Sequence, residues 1–252
     1  MTEEIVAGRN AVFEALISKR PINKIYIKMG LQGGSLVKIV AAAQEIAVPV
    51  EYVQPEKLDR LAPGMRHQGI VALASPIAFS SLEDVLKRAA TRQETPFLLL
   101  LDELQDPQNV GALIRSADAA GVHGVLLPRR RSCPMNMVVA KVSAGAVNYV
   151  PVVQIGNIVQ TLRRLKEQGF WTVGADMDGE SLYFDADLDR PIVLVIGAEG
   201  KGLGHLVKEN CDMLVRIPMQ GGVNSLNASA AGAILLYEVV RQRMQKVTPG
   251  GK

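Results

Sequence analysis

Cysteine, histidine and aromatic residues are scarce in this chain, and each scarcity argues against a class of structure. The 252 residues include 2 cysteines and 3 histidines. Cys133 and Cys211 have no CxxC spacing and no histidine cluster beside them, so we expect two reduced thiols and no metal site. Aromatic residues make up only 4% of the chain. The apolar side chains are mostly aliphatic, which is typical of buried parallel strands covered by helices.

Net charge and long apolar runs are also modest. The formal net charge is +3, which is compatible with nucleic-acid binding but too small to argue for it alone. The first ten residues lack the basic-then-apolar pattern of a signal peptide. No apolar run reaches the ~20 residues that span a bilayer. We therefore expect a soluble, cytoplasmic protein with no membrane partner.

The order of predicted elements divides the chain. Residues 1–75 predict a small α/β unit whose first helix is capped by Asn10. Residues 76–95 predict a linker that contains a short helix. Strands and helices alternate over residues 96–245, which predicts a parallel sheet with helices on both faces. Residues 246–252 predict a disordered tail.

Ligands of such sheets lie outside the carboxyl ends of the strands, so the loops that follow strands are the candidate sites. One loop leads into a helix that carries Asn109 and Arg115. Asn109 taken alone is best interpreted as a helix cap. Arg115 lies between apolar neighbours in a helix that otherwise covers the core. It is either placed for an anion or simply exposed.

A second loop, residues 197–204, follows the apolar strand IVLVI. It lacks the Ser or Thr that completes a phosphate-binding GxxxxGK motif, and its glycines are spaced GxGxG rather than GxGxxG. A conventional nucleotide-binding fold is therefore a weak interpretation. The glycines still leave a backbone that a ligand can approach closely, and the loop carries one carboxylate, that of Glu199.

The third stretch, residues 217–241, passes through a glycine-rich turn into a long helix rich in small residues. Asn224, Ser225 and Asn227 lie together at the start of that helix, which exceeds what capping needs. A redundant polar helix start is the simpler alternative. The small residues suggest that something packs closely against the helix.

These stretches resemble the three motifs of the SPOUT (trefoil-knot) RNA ribose 2'-O-methyltransferases. The matches are NxxxxxR from Asn109 to Arg115, IGAEGxGL at 196–203 and IPMxGxxxSLNxSxAxxIxLYE at 217–238. GRNAVFEAL at 8–16 and RHQGIVA at 66–72 resemble the ribosomal-protein-like RNA-binding domain of the branch that methylates a guanosine of 23S ribosomal RNA.

The resemblance implies an α/β fold in which a parallel-sheet trefoil-knot methyltransferase domain follows a small RNA-binding domain. It implies a homodimer and S-adenosylmethionine bound in the knot. The implied cofactor-binding residues are Ile196, Gly197, Ala198, Gly200, Ile217, Met219 and Leu226. The implied catalytic residues are Asn109, Arg115, Glu199, Ser225 and Asn227.

The roles implied for these residues centre on Arg115 at the target hydroxyl. Because a guanidinium keeps its proton beyond pH 12, Arg115 suits stabilisation of a developing alkoxide better than proton abstraction. Asn109 and Glu199 would orient it, and Ser225 and Asn227 would shape the pocket near the methyl group.

The RNA contacts expected from the basic residues involve both parts of the chain. They are Arg9, Arg66, His67, Arg129, Arg130 and Arg131. The last three follow a strand at the active edge of the sheet, and solvated surface charge is the plain alternative for all six.

Several other functions stay open from the sequence. A nucleotide-dependent oxidoreductase or a Rossmann-type methyltransferase would need its glycine fingerprint after an early strand. A non-catalytic RNA-binding protein would not need the polar residues of all three loops together. A tRNA ribose methyltransferase, or a methyltransferase acting at an antibiotic-resistance position of ribosomal RNA, would share the same motifs.

Overall fold

The computed structural model of the protein describes most of the chain. The described residues are 4–18, 20, 22–46, 48–74, 79–135 and 137–247. They form two compact units. The N-terminal unit comprises residues 1–78 with 135–149, and the C-terminal unit comprises residues 79–134 with 150–252.

Within the described residues, strands and helices alternate along most of the chain. In chain order the strands are β1 (Glu4–Ala7), β2 (Ile22–Lys28), β3 (Val50–Val53), β4 (Ile70–Ala74), β5 (Phe97–Leu101), β6 (Gly124–Pro128), β7 (Val152–Ile155), β8 (Trp171–Ala175), β9 (Ser181–Leu182), β10 (Ile192–Ile196) and β11 (Met213–Arg216). The helices are α1 (Arg9–Ile17), α2 (Gly34–Glu45), α3 (Pro55–Leu61), α4 (Leu82–Thr91), α5 (Pro107–Ala119), α6 (Met137–Val142), α7 (Ile158–Glu167), α8 (His205–Glu209) and α9 (Ala228–Val247).

The N-terminal unit is built on a mixed four-stranded sheet in the order β1-β4-β2-β3. Strand β4 pairs antiparallel with β1 and β2, and β2 pairs parallel with β3. Val12 of α1 and Ile39 of α2 pack with Ile25 of β2 in its buried core. The small α/β unit expected here is therefore present.

Residues 135–149 belong to the N-terminal unit although they lie far along the chain. The Tyr149 hydroxyl donates a 2.6 Å hydrogen bond to Glu14. Gly145 has φ 91°, and a Cβ there would lie 2.8 Å from the Glu14 Cβ. The predicted boundaries, which assign this segment to the methyltransferase domain, differ from the compact units in this respect.

The C-terminal unit contains a seven-stranded sheet in the order β7-β6-β5-β10-β8-β11-β9. Every strand pair in it is parallel, which confirms the predicted parallel sheet. Leu98 and Val193 point to the face covered by α4, α7 and α8. On the opposite face, α5 packs against α9, which also contacts β10.

This strand order decides where a ligand can lie. Because all seven strands run the same way, the residues that follow β5, β10, β8 and β11 emerge at one edge of the sheet. These four strands are neighbours in the order given above. Loops far apart in the sequence therefore meet at this edge, which we call the carboxyl edge. The trefoil knot expected from the resemblance stays a prediction.

Three details of the predicted elements need correction. Helix α1 begins at Arg9, before the predicted cap Asn10, and follows Gly8, which has φ 104° and provides no side-chain cap. Helix α9 continues through Val247, so the first two residues of the predicted tail are helical. Residues 248–252 lie outside the described residues.

The predicted linker also proves to be part of a core. Its helix is α4, which begins at Leu82 after the Ser81 cap, whose side chain accepts a hydrogen bond from the Asp84 amide. Leu82 and Val85 are buried in the core of the C-terminal unit. Residues 75–78 lie outside the described residues.

Candidate active site

The start of α5 brings Asn109 to the carboxyl edge. Asp106 caps this helix, because its carboxylate accepts hydrogen bonds from the amides of Gln108 (3.1 Å) and Asn109 (3.3 Å). The interpretation of Asn109 as the cap is therefore wrong, and its side chain is available for another partner. Asn109 is only 6% exposed, so its side-chain amide needs that partner.

The partner is Glu199, in the loop after β10. Its Oε1 accepts hydrogen bonds from the Asn109 side-chain amide (3.1 Å) and the Ala228 backbone amide (3.3 Å). The side-chain amide of Asn227 donates to the same oxygen. It also donates to the Asn109 side-chain oxygen at 2.8 Å. We call this group the Asn109–Glu199–Asn227 network.

The network sits where two helices begin. Asn227 caps α9, since its side-chain oxygen accepts hydrogen bonds from the amides of Ser229 (2.9 Å) and Ala230 (3.2 Å). A carboxylate near a helix N-terminus is stabilised by the unpaired N–H groups and the helix dipole. The Glu199 carboxylate lies at the N-terminus of α9. Its hydrogen bond from Asn109 also connects it to the first turn of α5. Asn227 is thus more than a redundant polar residue at a helix start.

The glycine-rich loop after β10 folds back on itself. The Gly202 amide donates to the Ala198 carbonyl at 2.9 Å. A Cβ on Gly197 would lie 2.3 Å from the Gly202 carbonyl carbon, so only glycine fits there. Asp102, after β5, accepts a 2.8 Å hydrogen bond from the Gly204 amide. Burial raises the pKa of Asp102.

A cavity of about 340 Å³ opens beside this loop. It is bounded by residues that follow β8, β10 and β11 and by the start of α9. All seven residues predicted to bind the cofactor line it, and they are Ile196, Gly197, Ala198, Gly200, Ile217, Met219 and Leu226. Glu199 and Ser225, predicted to be catalytic, line it too. The structure therefore brings the second and third predicted loops to one site.

Arg115 lies apart from this group. Its side chain is exposed and does not line the cavity. The expected orientation by Asn109 and Glu199 is not present, because these two side chains bond each other and Asn227 instead. Arg115 follows Asn109 by six residues, which places it about 240° around the helix. It therefore faces another direction than Asn109 does.

Among the cavity residues that the sequence reasoning missed, two carry opposite charges and contact each other. Asp176, after β8, and Lys208, in α8, line the cavity and form an ion pair of 2.6 Å. Asp176 falls inside the predicted strand, and its charge at the carboxyl end of that strand was the available signal. Lys208 carries no such signal, because only the packing of α8 brings it to the cavity.

The basic loop after β6 is partly neutralised. Arg129 and Arg130 are exposed and form no hydrogen bond or ion pair with another described side chain. Arg131 pairs with Glu103 at 2.9 Å, and this contact raises the pKa of Arg131. Two of the three arginines predicted to bind RNA thus form no side-chain contact of this kind with another described residue.

The other predicted RNA contacts lie around one loop of the N-terminal unit. The Arg9 guanidinium donates to the Gln68 carbonyl at 3.4 Å, and the Gln68 side-chain oxygen accepts from the Arg9 amide at 3.2 Å. His67 accepts from the Gly69 amide at 3.1 Å and pairs with Asp59 at 3.0 Å. Arg66 is exposed. The two N-terminal motifs therefore meet in space.

Both cysteines are free, in agreement with the prediction. Burial raises the pKa of the Cys133 thiol to about 11 and that of Cys211 to about 12. Both are protonated at neutral pH and are not candidate nucleophiles. Over the described ranges, no cluster of potential metal ligands occurs. No helix there is long and apolar enough to cross a membrane.

A parallel α/β sheet with a cavity at its carboxyl edge places the C-terminal unit among the ligand-binding α/β folds. Residues 96–237 match the model of the SpoU rRNA Methylase family. Residues 5–80 match the model described as RNA 2'-O ribose methyltransferase substrate binding. The chain belongs to the SpoU rRNA methylase family, as the sequence motifs predicted.

Three known proteins illustrate the relationship. YacO of Bacillus subtilis, assigned to the TrmH family of tRNA/rRNA methyltransferases, is 42% identical over 240 residues, which cover 95% of this chain and 96% of YacO. The SpoU methyltransferase AviRb of Streptomyces viridochromogenes, solved with the cofactor AdoMet, is 26% identical with a TM-score of 0.81, covering 96% of this chain and 91% of AviRb. The TrmH/SpoU tRNA modifying enzyme of A. aeolicus is 30% identical with a TM-score of 0.55, covering 66% of this chain and 86% of that enzyme.

Replacing Glu199 with Ala tests the network. The substitution removes the acceptor that two side-chain amides and one backbone amide share, so we expect the free energy of unfolding to fall by about 1–2 kcal/mol. Urea unfolding measures it. Glu167→Ala is the control, because Glu167 is exposed at the end of α7. Equal stability of the two variants would contradict the network's contribution.

Proposed function

We propose that this protein transfers the methyl group of S-adenosylmethionine to the ribose 2'-hydroxyl of a guanosine in 23S ribosomal RNA. The cavity carries the proposal, because every residue predicted to bind the cofactor lines it. Its position beside the Asn109–Glu199–Asn227 network agrees with a reaction at this edge. The related AviRb structure contains AdoMet.

The reaction is a displacement at the methyl carbon. The ribose oxygen forms a bond to that carbon while the bond from carbon to the sulfonium breaks, and its electron pair goes to sulfur. The hydroxyl proton is released to solvent. Alignment of the oxygen, the carbon and the sulfur supplies much of the rate enhancement in such a step. A fixed loop and two fixed helix starts suit this task.

Arg115 acts as an electrostatic stabiliser in this proposal. A guanidinium keeps its proton, so it cannot take the proton of the hydroxyl. Its side chain forms no hydrogen bond or ion pair with any described residue, so all its donors remain for the substrate. Arg115 lies outside the cavity, so its binding of the developing alkoxide or the adjacent phosphate requires the RNA substrate to extend from the cavity to α5. Ser225 shapes the cavity wall near the methyl group.

Ribosomal RNA is the favoured substrate because of the N-terminal unit. Residues 5–80 match a substrate-binding model of RNA 2'-O ribose methyltransferases. The tRNA modifying enzyme of A. aeolicus covers only 66% of this chain, whereas AviRb covers 96%. Arg9 and the loop between α3 and β4, which carries Arg66 and His67, supply contacts to the RNA backbone.

Mapping of 2'-O-methyl groups tests the activity. RNA from cells that lack the gene should lose one 2'-O-methylguanosine of 23S ribosomal RNA, and the wild-type gene should restore it. Arg115→Ala should restore less than about a hundredth of the initial rate, the effect of removing one donor to a developing oxyanion.

Arg163→Ala is the control for that experiment, since Arg163 is an exposed arginine on α7. Arg115→Ala should unfold at the wild-type temperature. If it kept more than half the wild-type rate, the role of Arg115 would be wrong. Loss of a methyl group from tRNA instead would identify a tRNA enzyme, and an unchanged methylation pattern would favour a non-catalytic RNA-binding protein.

The basic loop is proposed to bind RNA phosphates. Each phosphate contact contributes roughly 0.7–0.9 to the slope of log affinity against log salt concentration. The double variant Arg129→Ala/Arg130→Ala should therefore lower that slope by about 1.4–1.8 for a 23S ribosomal RNA fragment. Arg163→Ala/Arg164→Ala removes two exposed arginines from α7 and should leave the slope unchanged. Equal slopes in all three proteins would reject the contact.

A homodimer is proposed with the exposed side of α9 as its interface. The small-residue side is not available, because a Cβ on Gly232 would lie 2.3 Å from Leu113. The exposed side carries Ile234, Tyr237 and Met244, which are 36%, 51% and 67% exposed. Apolar side chains aligned on one helix face and open to solvent are typical of an association surface.

Sedimentation at micromolar concentration tests this interface. The wild type should sediment at twice the chain mass of 27.2 kDa. Tyr237→Lys places a charge on the apolar face and should shift the protein towards the single-chain mass. Tyr52→Lys is the control, because Tyr52 is 50% exposed on β3. A wild type found only at 27.2 kDa would contradict dimerisation.

A further inference from the structure

We propose that Lys208, held in place by Asp176, binds the carboxylate of the amino-acid tail of S-adenosylmethionine. The inference rests on the proposed function and goes beyond it, because it assigns one chemical group of the cofactor to one side chain. Neither residue belongs to the motifs that led to the family.

Asp176 is rigidly placed at the carboxyl edge. Its amide donates to the Val215 carbonyl at 3.0 Å, which continues the pairing of β8 with β11. One carboxylate oxygen accepts from the Asp178 amide at 3.1 Å. The other lies 2.6 Å from the Lys208 ammonium. The Asp176 side chain is only 2% exposed, so it serves to position Lys208.

Lys208 is the accessible member of the pair. Its side chain is 30% exposed, and it lines the cavity. An ammonium group has three N–H donors, and Asp176 takes one of them. Asp178 lies 3.9 Å away, beyond hydrogen-bond distance. Donors therefore remain for a group inside the cavity.

The chemistry of the cofactor selects the group that Lys208 can bind. S-adenosylmethionine carries a positive sulfonium, a positive α-ammonium and one negative carboxylate. The Lys208 ammonium repels the first two groups and attracts the third, and the nearby carboxylates of Asp176 and Asp178 weaken both effects. Because Asp176 removes freedom from the Lys208 side chain before the ligand arrives, less entropy is lost on binding. The carboxylate is thus the favoured partner.

Lys201 is the natural comparison. It also lines the cavity, but it is exposed and has no hydrogen bond or ion pair with another described residue. An exposed lysine is screened by water and salt, so its attraction for a carboxylate is weak. The structure therefore offers two lysines in one cavity, of which only one is positioned.

Calorimetry with two cofactors tests the assignment. The probes are S-adenosylmethionine and its decarboxylated analogue, which keeps the sulfonium and the ammonium. The wild type should bind S-adenosylmethionine at least about tenfold more tightly, the effect of a hydrogen bond between charged groups. In Lys208→Met this preference should fall to near one, while in Lys201→Met it should stay at the wild-type value.

The ratio of the two affinities distinguishes recognition of the carboxylate from a change in the fold or the cavity shape. A loss of fold or cavity shape in Lys208→Met would weaken both ligands together and leave their ratio unchanged, which would overturn the inference. Equal affinity of the wild type for both ligands would also overturn it, whether or not the variant folds. If Lys208→Met kept the preference and instead weakened RNA affinity, Lys208 would be a phosphate contact. Failure of the wild type to bind either ligand would contradict the proposed function itself.

Discussion

The hydrogen bonds accepted by one oxygen of Glu199 are the constraint on which the carboxyl edge depends. They join the loop after β10 to the first turn of α5 and to the start of α9. Each of these helices begins with N–H groups that have no partner within the helix, so a carboxylate between them is electrostatically favoured. The loops after β5 and β10 meet at one edge of the sheet because these two strands are adjacent and parallel. The network therefore fixes three chain segments that are remote in the sequence.

The cavity follows from the same arrangement. The loop that carries Glu199 doubles back so tightly that Gly197 admits no side chain. Its other end is held by the buried carboxylate of Asp102. The segment between β11 and α9 closes the opposite wall, with Ile217 and Leu226 among the lining residues. The lining combines glycine, alanine and serine residues with longer apolar and charged side chains, so it offers a ligand both close approach and specific contacts.

Charge is distributed unequally in the proposed enzyme. At the cavity, Lys208 is paired with Asp176, so this wall offers a fixed dipole to the zwitterionic amino-acid tail of the proposed cofactor. At the basic loop, Arg131 is balanced by Glu103, whereas Arg129 and Arg130 are left for a polyanion. Arg115 is likewise unbalanced. Unpaired arginines suit an RNA partner, because each neutralised phosphate releases bound counterions. A net charge of only +3 conceals these local differences.

The sequence by itself determined the alternation of strands and helices, the parallel sheet and the family, because hydrophobic periodicity and short motifs are local properties. It also located the loops of the cavity, since in a parallel sheet strand direction dictates where loops emerge. Only the tertiary structure decided that Asn109 bonds Glu199 rather than capping α5, a contact between residues 90 positions apart. It also separated Arg115 from that network and brought Lys208 to Asp176. Strand order and helix packing bring such partners together, and no local pattern records them.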